Sequence, residues 1–457
     1  RRYQKVRLLT LALTVAALVL SASPLVRSSP LAYSARRGMW QGQRAIHRHR
    51  ASLMAWCTVA GIDLGTSNCA IATIEGASPR VLPDASGKGM LRSVVGYSPS
   101  DGEPEVHVGE QALDRCKSGL VIPSIKTILG RNGTQAADAA KAQGVQIKEE
   151  TPGDLRIVSP LHDSPLEPAR VAAELIKHLL NRGREKGIQV KRAVLTIPAD
   201  ASEHQALETV VAGKHAGLEE MALLQEPVAA AFAHGSEWLA DEHQVIAVID
   251  VGAGTTDVSF VESWSGCLEI VATGGVAVGG QDFDRSLAEI LASKAGDPAC
   301  GPGLDLLRAA EEAKISLTTN DKISVSIGDS PDAITLSRAE FEAALQPHLS
   351  RISKAIEETA GRAGVALPQA GIAGPLHVSR LVMAGGSSYV PAVTALAVQL
   401  TGVEPDQSLP PMEVVALGAS VYAGVLSGEI KGGMELNDGG FLEDVHGQIS
   451  AQGFPFS

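Results

Sequence analysis

Apolar and polar residues follow the same pattern in two separate segments of the chain. In each segment an apolar run ends on aspartate, a turn rich in glycine and hydroxyl residues follows, and a second run alternates apolar and polar residues. The segments span residues 60–74 and 248–261. This pattern predicts a strand, a tight turn and a second strand. Periodicity between the segments predicts an amphipathic helix over 167–181 and a strand over 191–198. Because each copy begins one half of the chain, we expect two similar lobes.

The two turns carry groups that suit a phosphate. Glycine lets backbone N–H groups approach an anion, and the hydroxyl groups of threonine and serine can donate hydrogen bonds to phosphate oxygens. Asp63 precedes the first turn and Asp250 the second, and such a carboxylate can hold Mg²⁺ through water. We therefore expect one nucleotide between two facing lobes. Its predicted contacts in the turns are Gly65, Thr66, Ser67, Asn68, Gly252, Gly254, Thr255 and Thr256.

The pair of turns resembles the phosphate-1 and phosphate-2 loops of the actin-like ATPase superfamily. The residues around them resemble the DnaK family of 70-kDa heat-shock chaperones, and this resemblance covers residues 59–430. It implies an α/β, bilobed actin-like ATPase fold built from duplicated ribonuclease-H-like lobes. It also implies that ATP or ADP binds with Mg²⁺, and that ATP is slowly hydrolysed to ADP and phosphate.

Two further motifs carry catalytic residues that the resemblance implies. The motif S-I-K-T-I-L-G-R is similar to the family's x-x-K-R-L-I-G-R, which makes Lys126 the lysine that reaches the γ-phosphate and the attacking water. A compact ammonium group suits that task as a point charge. The motif L-Q-E-P-V-A-A-A is similar to I-N-E-P-T-A-A-A, which makes Glu226 a residue that orders Mg²⁺ and its water shell. Asp250 and Thr255 complete the implied catalytic set, and Asp63 and Asp250 are the implied metal residues.

The resemblance places further contacts of the nucleotide, those to adenosine among them, on three segments of the second half. One is a predicted helix over 304–318, where an acid, a lysine and a threonine share one face at spacing i, i+3 and i+7. The spacing alone is typical of a surface ion pair, whereas the motif A-E-E-A-K-I-S-L-T is similar to the family's adenosine helix. The other two segments are glycine-containing loops. The predicted contacts are Gly279, Gly280, Glu311, Lys314, Thr318, Gly385, Gly386 and Ser387.

We divide the chain into three parts. Residues 1–53 form an N-terminal extension, and residues 54–430 form the actin-like nucleotide-binding domain. Residues 431–457 form a flexible tail, too short for the family's β-sandwich substrate-binding domain, which needs roughly 100 residues. Within the nucleotide-binding domain, lobe I takes residues 58–242 and 412–428, and lobe II takes residues 243–411.

The N-terminal extension has two interpretations. Its apolar run over 8–20 is flanked by basic and then by small residues, which is typical of a secretory signal and too short for a membrane span. The arginine-rich remainder resembles a transit segment, so residues 1–53 would direct the protein to the secretory pathway or an organelle. In the other interpretation, Met54 is the start of a cytoplasmic protein.

Composition narrows the choice of function. The formal net charge of -12 argues against direct binding of nucleic acid, and an aromatic content of 4% argues against base stacking. The resemblance then implies the nucleotide-binding module of a molecular chaperone that binds unfolded protein and acts in protein folding and the stress response. It also implies a J-domain co-chaperone and a nucleotide-exchange factor as partners.

Two alternative functions stay open. The segment after Pro198 lacks the family's arginine, Pro410 and Pro411 open the last helical segment, and polar residues follow Ile430. These departures resemble the ribosome-associated Ssz type of the family. Such a member would be a non-catalytic, ATP-bound subunit that docks a J-domain protein or the ribosome, close to a nascent chain. A sugar kinase of the same superfamily is the more remote alternative, because no sugar-binding segment stands between the two turns.

Overall fold

The computed structural model describes residues 59–76, 78–116, 118–131, 133–151, 154–234, 243–264, 267–296, 304–326, 333–430 and 435–437. The predicted N-terminal extension and most of the predicted tail lie outside these ranges. Among the described residues, no helix has both the length and the apolar character that a membrane crossing requires.

The described strands, in chain order, are β1 (Val59–Leu64), β2 (Asn68–Glu75), β3 (Ser78–Val81), β4 (Leu91–Arg92), β5 (Val94–Ser98), β6 (Glu105–Val108), β7 (Leu120–Pro123), β8 (Ile147–Thr151), β9 (Asp154–Ile157), β10 (Arg192–Ile197), β11 (Glu220–Gln225), β12 (Gln244–Val251), β13 (Thr256–Trp264), β14 (Cys267–Val276), β15 (Lys322–Val325), β16 (Ile334–Ser337), β17 (Val365–Ala366), β18 (Leu376–His377), β19 (Arg380–Ala384) and β20 (Glu435–Asn437).

The described α-helices are α1 (Glu110–Arg115), α2 (Gly133–Ala142), α3 (Pro168–Glu185), α4 (Glu203–His215), α5 (Glu226–Phe232), α6 (Gly280–Lys294), α7 (Leu304–Leu317), α8 (Arg338–Ala363), α9 (Pro391–Thr401) and α10 (Val414–Ser427). Short 3-10 turns are found at Ile125–Thr127, Pro368–Ala370 and Gly386–Tyr389. The predicted helices over 167–181 and 304–318 are confirmed as α3 and α7, and the predicted strand over 191–198 is confirmed as β10.

The two large sheets are built alike. The first has the strand order β11-β10-β1-β2-β3, with β4 also paired to β2, and the second has the order β19-β12-β13-β14-β20. In the first sheet β1 has an antiparallel partner, β2, on one side and a parallel partner, β10, on the other. In the second sheet β12 has the same surroundings, with antiparallel β13 and parallel β19. Both predicted strand-turn-strand segments are therefore confirmed, each at the centre of its own sheet.

Helix α10 packs on the first sheet although it follows the second sheet in sequence. Its backbone touches β1 directly, since a side-chain carbon on Gly61 would lie only 2.1 Å from the backbone nitrogen of Ser420. The helix is buried on nearly all sides, and its valine and alanine side chains join an apolar cluster with residues of both sheets, including Val194 and Val248. This shared core supports the ends of β1 and β12 from one side.

One part of the predicted flexible tail is a strand. Glu435–Asn437 forms β20, which pairs in parallel with Cys267–Glu269 at the edge of the second sheet. The polar, glycine-rich composition of the region gave no period-2 signal for so short a strand. Pairing with an existing edge supplies the backbone hydrogen bonds that the sequence pattern does not reveal.

Candidate functional site

Each lobe presents an aspartate at the same position of its central strand. Asp63 is the second-last residue of β1, and Asp250 is the second-last residue of β12. The hydroxyl of Thr196, on the neighbouring strand β10, donates to Asp63 Oδ1 at 3.0 Å and fixes that carboxylate. The two aspartates are close enough for Asp63 to raise the pKa of Asp250. The two lobes thus converge on one acidic site.

Lys126 lies among these carboxylates. It belongs to the 3-10 turn Ile125–Thr127, and its Nζ donates a hydrogen bond to Glu226 Oε1. Both side chains are largely buried, with 15% and 17% of their surface exposed. Burial disfavours the charged form of Lys126, but Glu226 and Asp63 more than offset it and raise the pKa of the lysine. The ammonium group is therefore charged at neutral pH.

The carboxylates around Lys126 hold their protons more tightly than usual. Burial raises the pKa of Asp63 to about 6, against the opposing effect of Lys126. Burial, Glu226 and Asp257 raise the pKa of Asp250 well above its ordinary value. Several acidic groups beside one lysine favour an added cation, because a buried carboxylate without a counter-charge is costly.

The donor set suits Mg²⁺ held through water. Within the described ranges, no three His, Cys, Asp or Glu side chains lie close enough together to bind a metal ion directly. Asp63 and Asp250 offer carboxylate oxygens, the donors that Mg²⁺ prefers, and Mg²⁺ usually keeps several of its waters. The arrangement therefore fits the predicted water-mediated binding.

The first turn is held from within lobe I. Ser93 donates its hydroxyl to the carbonyl of Gly65 at 2.7 Å and its backbone N–H to the carbonyl of Ser67 at 2.8 Å. The side chains of Thr66, Ser67 and Asn68 are partly exposed along the same turn. These three side chains remain accessible to a ligand while the backbone of the turn is fixed.

The second turn uses its two threonines differently. The backbone N–H of Gly252 donates to the carbonyl of Thr255 at 2.9 Å and closes the turn. The exposed Thr255 hydroxyl donates to Asp257 Oδ2 at 3.1 Å. Thr256, by contrast, is fully buried, and its hydroxyl donates to the carbonyl of Val278 at 2.8 Å. In this structure the Thr256 side chain stabilises the base of the turn, and its predicted contact with phosphate stays a prediction.

Helix α6 begins directly against the second turn. Gly280 donates its backbone N–H to the carbonyl of Gly252 at 3.0 Å, and Gly279 donates to Asp282 Oδ2 at 2.9 Å as the helix begins. Gly254 lies in the same turn, and a side-chain carbon there would meet no other atom closer than 4.0 Å. The backbone at Gly254 is thus accessible, whereas Gly279 and Gly280 join the helix to the turn.

Residues predicted to contact adenosine meet at this helix start. Lys314 on α7 pairs with Asp284 Oδ1 at 2.7 Å, and its Nζ donates to the carbonyl of Gly280 at 3.4 Å. The Ser387 hydroxyl donates to the carbonyl of Gly252 at 2.9 Å. The structure therefore brings the second phosphate turn, α7 and the loop after β19 together.

The loop after β19 also lies against the acidic site. Gly385 has φ +79°, a left-handed conformation that disfavours other residues, and a side-chain carbon there would lie 2.4 Å from Asp250 Oδ1. Gly386 follows and begins the 3-10 turn Gly386–Tyr389. A close approach of this loop to Asp250 thus requires glycine at position 385.

Two predicted adenosine contacts are engaged elsewhere. Glu311 Oε2 lies 3.5 Å from Nη2 of Arg92, a residue of lobe I, so this carboxylate bridges the two lobes. The hydroxyl of Thr318 donates to the carbonyl of Ile315 at 2.7 Å, at the exposed end of α7. Among the described residues, no hydrogen bond or ion pair joins either side chain to Lys314 or Ser387, although Glu311 lies near Asp284, the partner of Lys314.

Three contributors to the site escaped the sequence analysis. Asp257 lies opposite Asp250 in the β12–β13 hairpin. Desolvation by the surrounding protein, followed by the nearby Glu226, raises the pKa of Asp257 to about 6, although its side chain is exposed. The hairpin register, which follows from the turn length, could have revealed it. Thr196 and Ser93 gave no such signal, because each reaches the site from a distant part of the chain.

A crevice between the lobes meets the acidic cluster. It is narrow and partly open to solvent, and Asp200 and Glu226 line it from lobe I. Asp250 and Asp257 line it from lobe II, with apolar side chains such as Val415 along its remaining wall. The site therefore has a concave shape between two bodies of similar build.

Comparison with known proteins gives one consistent match. The chain matches the model of the family described as Hsp70 protein over residues 59–447, which extends past residue 430, where the motifs predict the resemblance to end. It is 33% identical over 395 residues to the chaperone protein dnaK of Cyanidioschyzon merolae, which covers 82% of this chain and 62% of that protein.

Two further relatives agree. The chain is 33% identical over 397 residues to the chloroplastic heat shock 70 kDa protein 7 of Arabidopsis thaliana, covering 81% of this chain and 53% of the relative. It is 35% identical over 395 residues to the chaperone protein DnaK 1 of Synechococcus, covering 82% of this chain and 51% of the relative. The chain thus spans about half to three-fifths of the length of these curated relatives.

Proposed function

The chain belongs to the 70-kDa heat-shock protein family, and on that premise we propose that its cleft binds ATP with Mg²⁺ and hydrolyses the ATP slowly. Membership confirms the predicted family and, with the two matching sheets, the predicted α/β actin-like ATPase fold. It also supports a nucleotide-binding module of a chaperone as the function.

One observation carries the proposal. Two strands in corresponding positions of the two sheets carry Asp63 and Asp250 as their second-last residues, and these carboxylates converge with Glu226 on the charged Lys126. A phosphate chain between two such turns would bring negative charge to the lysine. Mg²⁺ would supply the positive charge that the carboxylates lack.

Asp63 and Asp250 would hold Mg²⁺ through water, and the ion would supply positive charge to the phosphate chain. Lys126 would stabilise the charge that develops on the transferring phosphoryl group, since its ammonium is held in place by Glu226. Asp257, whose pKa is about 6, can accept a proton at neutral pH, and its Oδ2 already accepts a hydrogen bond from the hydroxyl of Thr255. Thr255 and Asp257 would therefore orient and deprotonate the attacking water.

The partners belong to the proposal as well. The chain covers only part of its relatives, so the J-domain co-chaperone, the nucleotide-exchange factor and binding of unfolded protein are proposed from the family. The comparisons give no specific support to the non-catalytic partner subunit or to the sugar kinase. The structure assembles Lys126, Glu226 and Asp250 in one site. This arrangement favours a working ATPase over a nucleotide-locked subunit.

Two locations of the protein in the cell are proposed, an organelle or secretory compartment and the cytoplasm. Residues 1–53 lie outside the described residues, so the structure does not bear on either interpretation of them. Two of the similar plant proteins are named chloroplastic, which favours an organelle-targeting segment over a start at Met54. Residues 1–53 fused to a fluorescent protein should direct it to an organelle; diffuse cytoplasmic fluorescence would support the Met54 interpretation.

Thermal unfolding with and without ligand tests nucleotide binding. A ligand that binds only the folded state stabilises it by about 2.7 kcal/mol at a concentration one hundred times the dissociation constant. MgATP should therefore raise the melting temperature, and Asp63→Ala and Asp250→Ala should each reduce the shift. Lys177→Ala, which alters a surface lysine of α3, is the matched control and should keep the full shift. An unchanged melting temperature of the wild type at millimolar MgATP would refute the proposal.

A further inference from the structure

We propose that Ser93 is a positioning residue that holds the first phosphate turn and the Lys126 turn in one fixed arrangement. This inference rests on the proposed function, because it concerns how the phosphate-binding parts of the cleft are aligned. Ser93 is not itself a predicted contact of the nucleotide or of Mg²⁺. It acts through Gly65, Ser67 and Ser124, which it contacts directly.

Ser93 makes two bonds to the first turn. It follows the two-residue strand β4, which pairs with Asn68 and Cys69 where β2 begins. Its hydroxyl donates to the carbonyl of Gly65 at 2.7 Å, and its backbone N–H donates to the carbonyl of Ser67 at 2.8 Å. Only 2% of Ser93 is exposed, so water cannot replace these bonds without opening the structure.

The hydroxyl of Ser93 is oriented by a third group. The Sγ atom of Cys69 lies 3.0 Å from Ser93 Oγ. Burial raises the pKa of the Cys69 thiol to about 12, so the thiol keeps its proton and can donate it to the hydroxyl oxygen. The hydroxyl hydrogen is then free to point at the carbonyl of Gly65. A buried thiol that never ionises thus has a simple use beside the turn.

The carbonyl of Ser93 reaches the other catalytic element. It accepts a hydrogen bond from the backbone N–H of Ser124 at 2.9 Å, two residues before Lys126. Ser124 has φ +57° and is the single residue other than glycine with positive φ in the described part of the chain. Its carbonyl accepts from both the N–H and the hydroxyl of Thr127.

Such a strained residue persists only where its surroundings hold it, and strained residues cluster at functional sites. The Ser93 carbonyl is one of those surroundings, since it anchors the N–H of Ser124 and so the start of the turn that carries Lys126. One residue is therefore hydrogen-bonded to the backbone of both the first phosphate turn and the turn that carries Lys126. A shift of either turn relative to the other must break or stretch a bond to Ser93.

Ser93→Ala removes the hydroxyl and leaves both backbone bonds. The Gly65 carbonyl then keeps only the distant Cys69 thiol, at 3.7 Å, and the first turn loosens relative to Lys126. We expect MgATP affinity to fall about tenfold and kcat to fall about tenfold or more, because small misplacements of reacting groups are costly. Binding of adenosine, which lacks phosphates, should stay unchanged, because α7 and the Ser387 loop are untouched.

Ser420→Ala is the matched control. Ser420 is fully buried on α10, and its hydroxyl donates to the backbone carbonyl of Leu417 at 2.7 Å, so the variant loses the same kind of bond away from the turns. Ser93→Cys is a second test variant, because a thiol has similar size but is a weaker donor. A positioning role predicts that both MgATP affinity and kcat are highest in the wild type, lower in Ser93→Cys and lowest in Ser93→Ala.

The experiment measures Kd for MgATP and for adenosine, kcat, and the melting temperature of each ligand-free variant. The expected result is a loss of MgATP affinity and of kcat in Ser93→Ala, with adenosine affinity preserved. In Ser420→Ala, MgATP affinity and kcat should both stay unchanged. Equal effects of Ser93→Ala and Ser420→Ala, or parallel losses for MgATP and adenosine, would overturn the positioning role. A wild type that binds no MgATP would instead refute the proposed function, so the two failures are distinguishable.

Discussion

Arg92 Nη2 of lobe I lies 3.5 Å from Glu311 Oε2 on helix α7 of lobe II, so one ion pair spans the cleft beside the nucleotide site. Nη1 of the same arginine lies 3.4 Å from Glu110 Oε1 on α1, within its own lobe. Glu311 is one of the predicted contacts of adenosine. The structure shows a carboxylate that a bound nucleotide would have to share with Arg92.

Removal of the cross-cleft pair should speed nucleotide release. Arg92→Gln should raise the dissociation rate of ADP, because it removes an ion pair that joins the two lobes across the cleft. The increase should be about twofold to fivefold, since a pair whose side chains are 40% and 38% exposed contributes at most about 1 kcal/mol. The effect should shrink at high salt, where exposed charges are screened. Stopped-flow displacement of a fluorescent ADP measures the rate. Glu110→Gln, which removes only the partner within lobe I, should leave it unchanged; equal acceleration by both variants would contradict the account.

A side chain at position 385 should disturb the acidic site. Gly385→Ala places a carbon 2.4 Å from Asp250 Oδ1 at φ +79°, whereas Gly371→Ala meets nothing within 4 Å at the similar φ of +71°. The left-handed conformation alone should cost each variant about 1–2 kcal/mol of unfolding free energy. Gly385→Ala should lose more and should lose its response to MgATP. Urea unfolding with and without MgATP measures the unfolding free energy and its increase on ligand binding. Equal values of these two quantities in Gly385→Ala and Gly371→Ala would contradict a role of Gly385 at Asp250.

The raised pKa of Asp63 predicts a stability change with pH. The folded-state pKa is about 6, against an unfolded value of about 3.9, so the contribution of this group is fully present below about pH 4 and is lost as the pH rises through about 6. Asp63→Asn removes the ionisation. Without ligand, this variant should melt a few degrees above the wild type at pH 7. The gain should vanish toward pH 4.

Melting curves of both proteins from pH 4 to pH 8 measure the difference. Glu340→Gln is the control with the opposite sign, because hydrogen bonds from Lys294 and Ser337 lower the pKa of that carboxyl to about 2. Its loss of stability should be constant at neutral pH and should begin to shrink only below about pH 4.5, at the acid end of the range. A gain for Asp63→Asn that stays constant across the range would contradict the raised pKa.

Much of the fold follows from local patterns in the sequence. The runs that end on Asp63 and Asp250 are long, apolar and followed by glycine-rich turns, so their strands and their equivalence could be predicted. Helix α7 could also be predicted, since its motif is continuous along the chain. Lys126 and Glu226 were placed by motif alone, and the structure brings their side chains into contact.

The remaining features depend on contacts between distant segments. Ser93 belongs to a segment whose strand β4 has only two residues, too short to show any periodicity. Thr255 directly precedes β13 and Thr256 is its first residue; the first is exposed and the second is buried, and composition cannot tell which. The pairing of β20 with the sheet edge is likewise a tertiary contact without a local signal.

The central claim is that the cleft hydrolyses ATP with Lys126 as its main electrostatic group. Single-turnover hydrolysis of MgATP by the wild type, by Lys126→Ala and by the surface control Lys177→Ala tests it most directly. The account predicts slow wild-type hydrolysis that J-domain protein accelerates, the same rate in Lys177→Ala, and a fall of roughly 10²-fold or more in Lys126→Ala with ATP affinity only modestly reduced. Wild-type turnover that equals that of Lys126→Ala, with and without the J-domain protein, would contradict it.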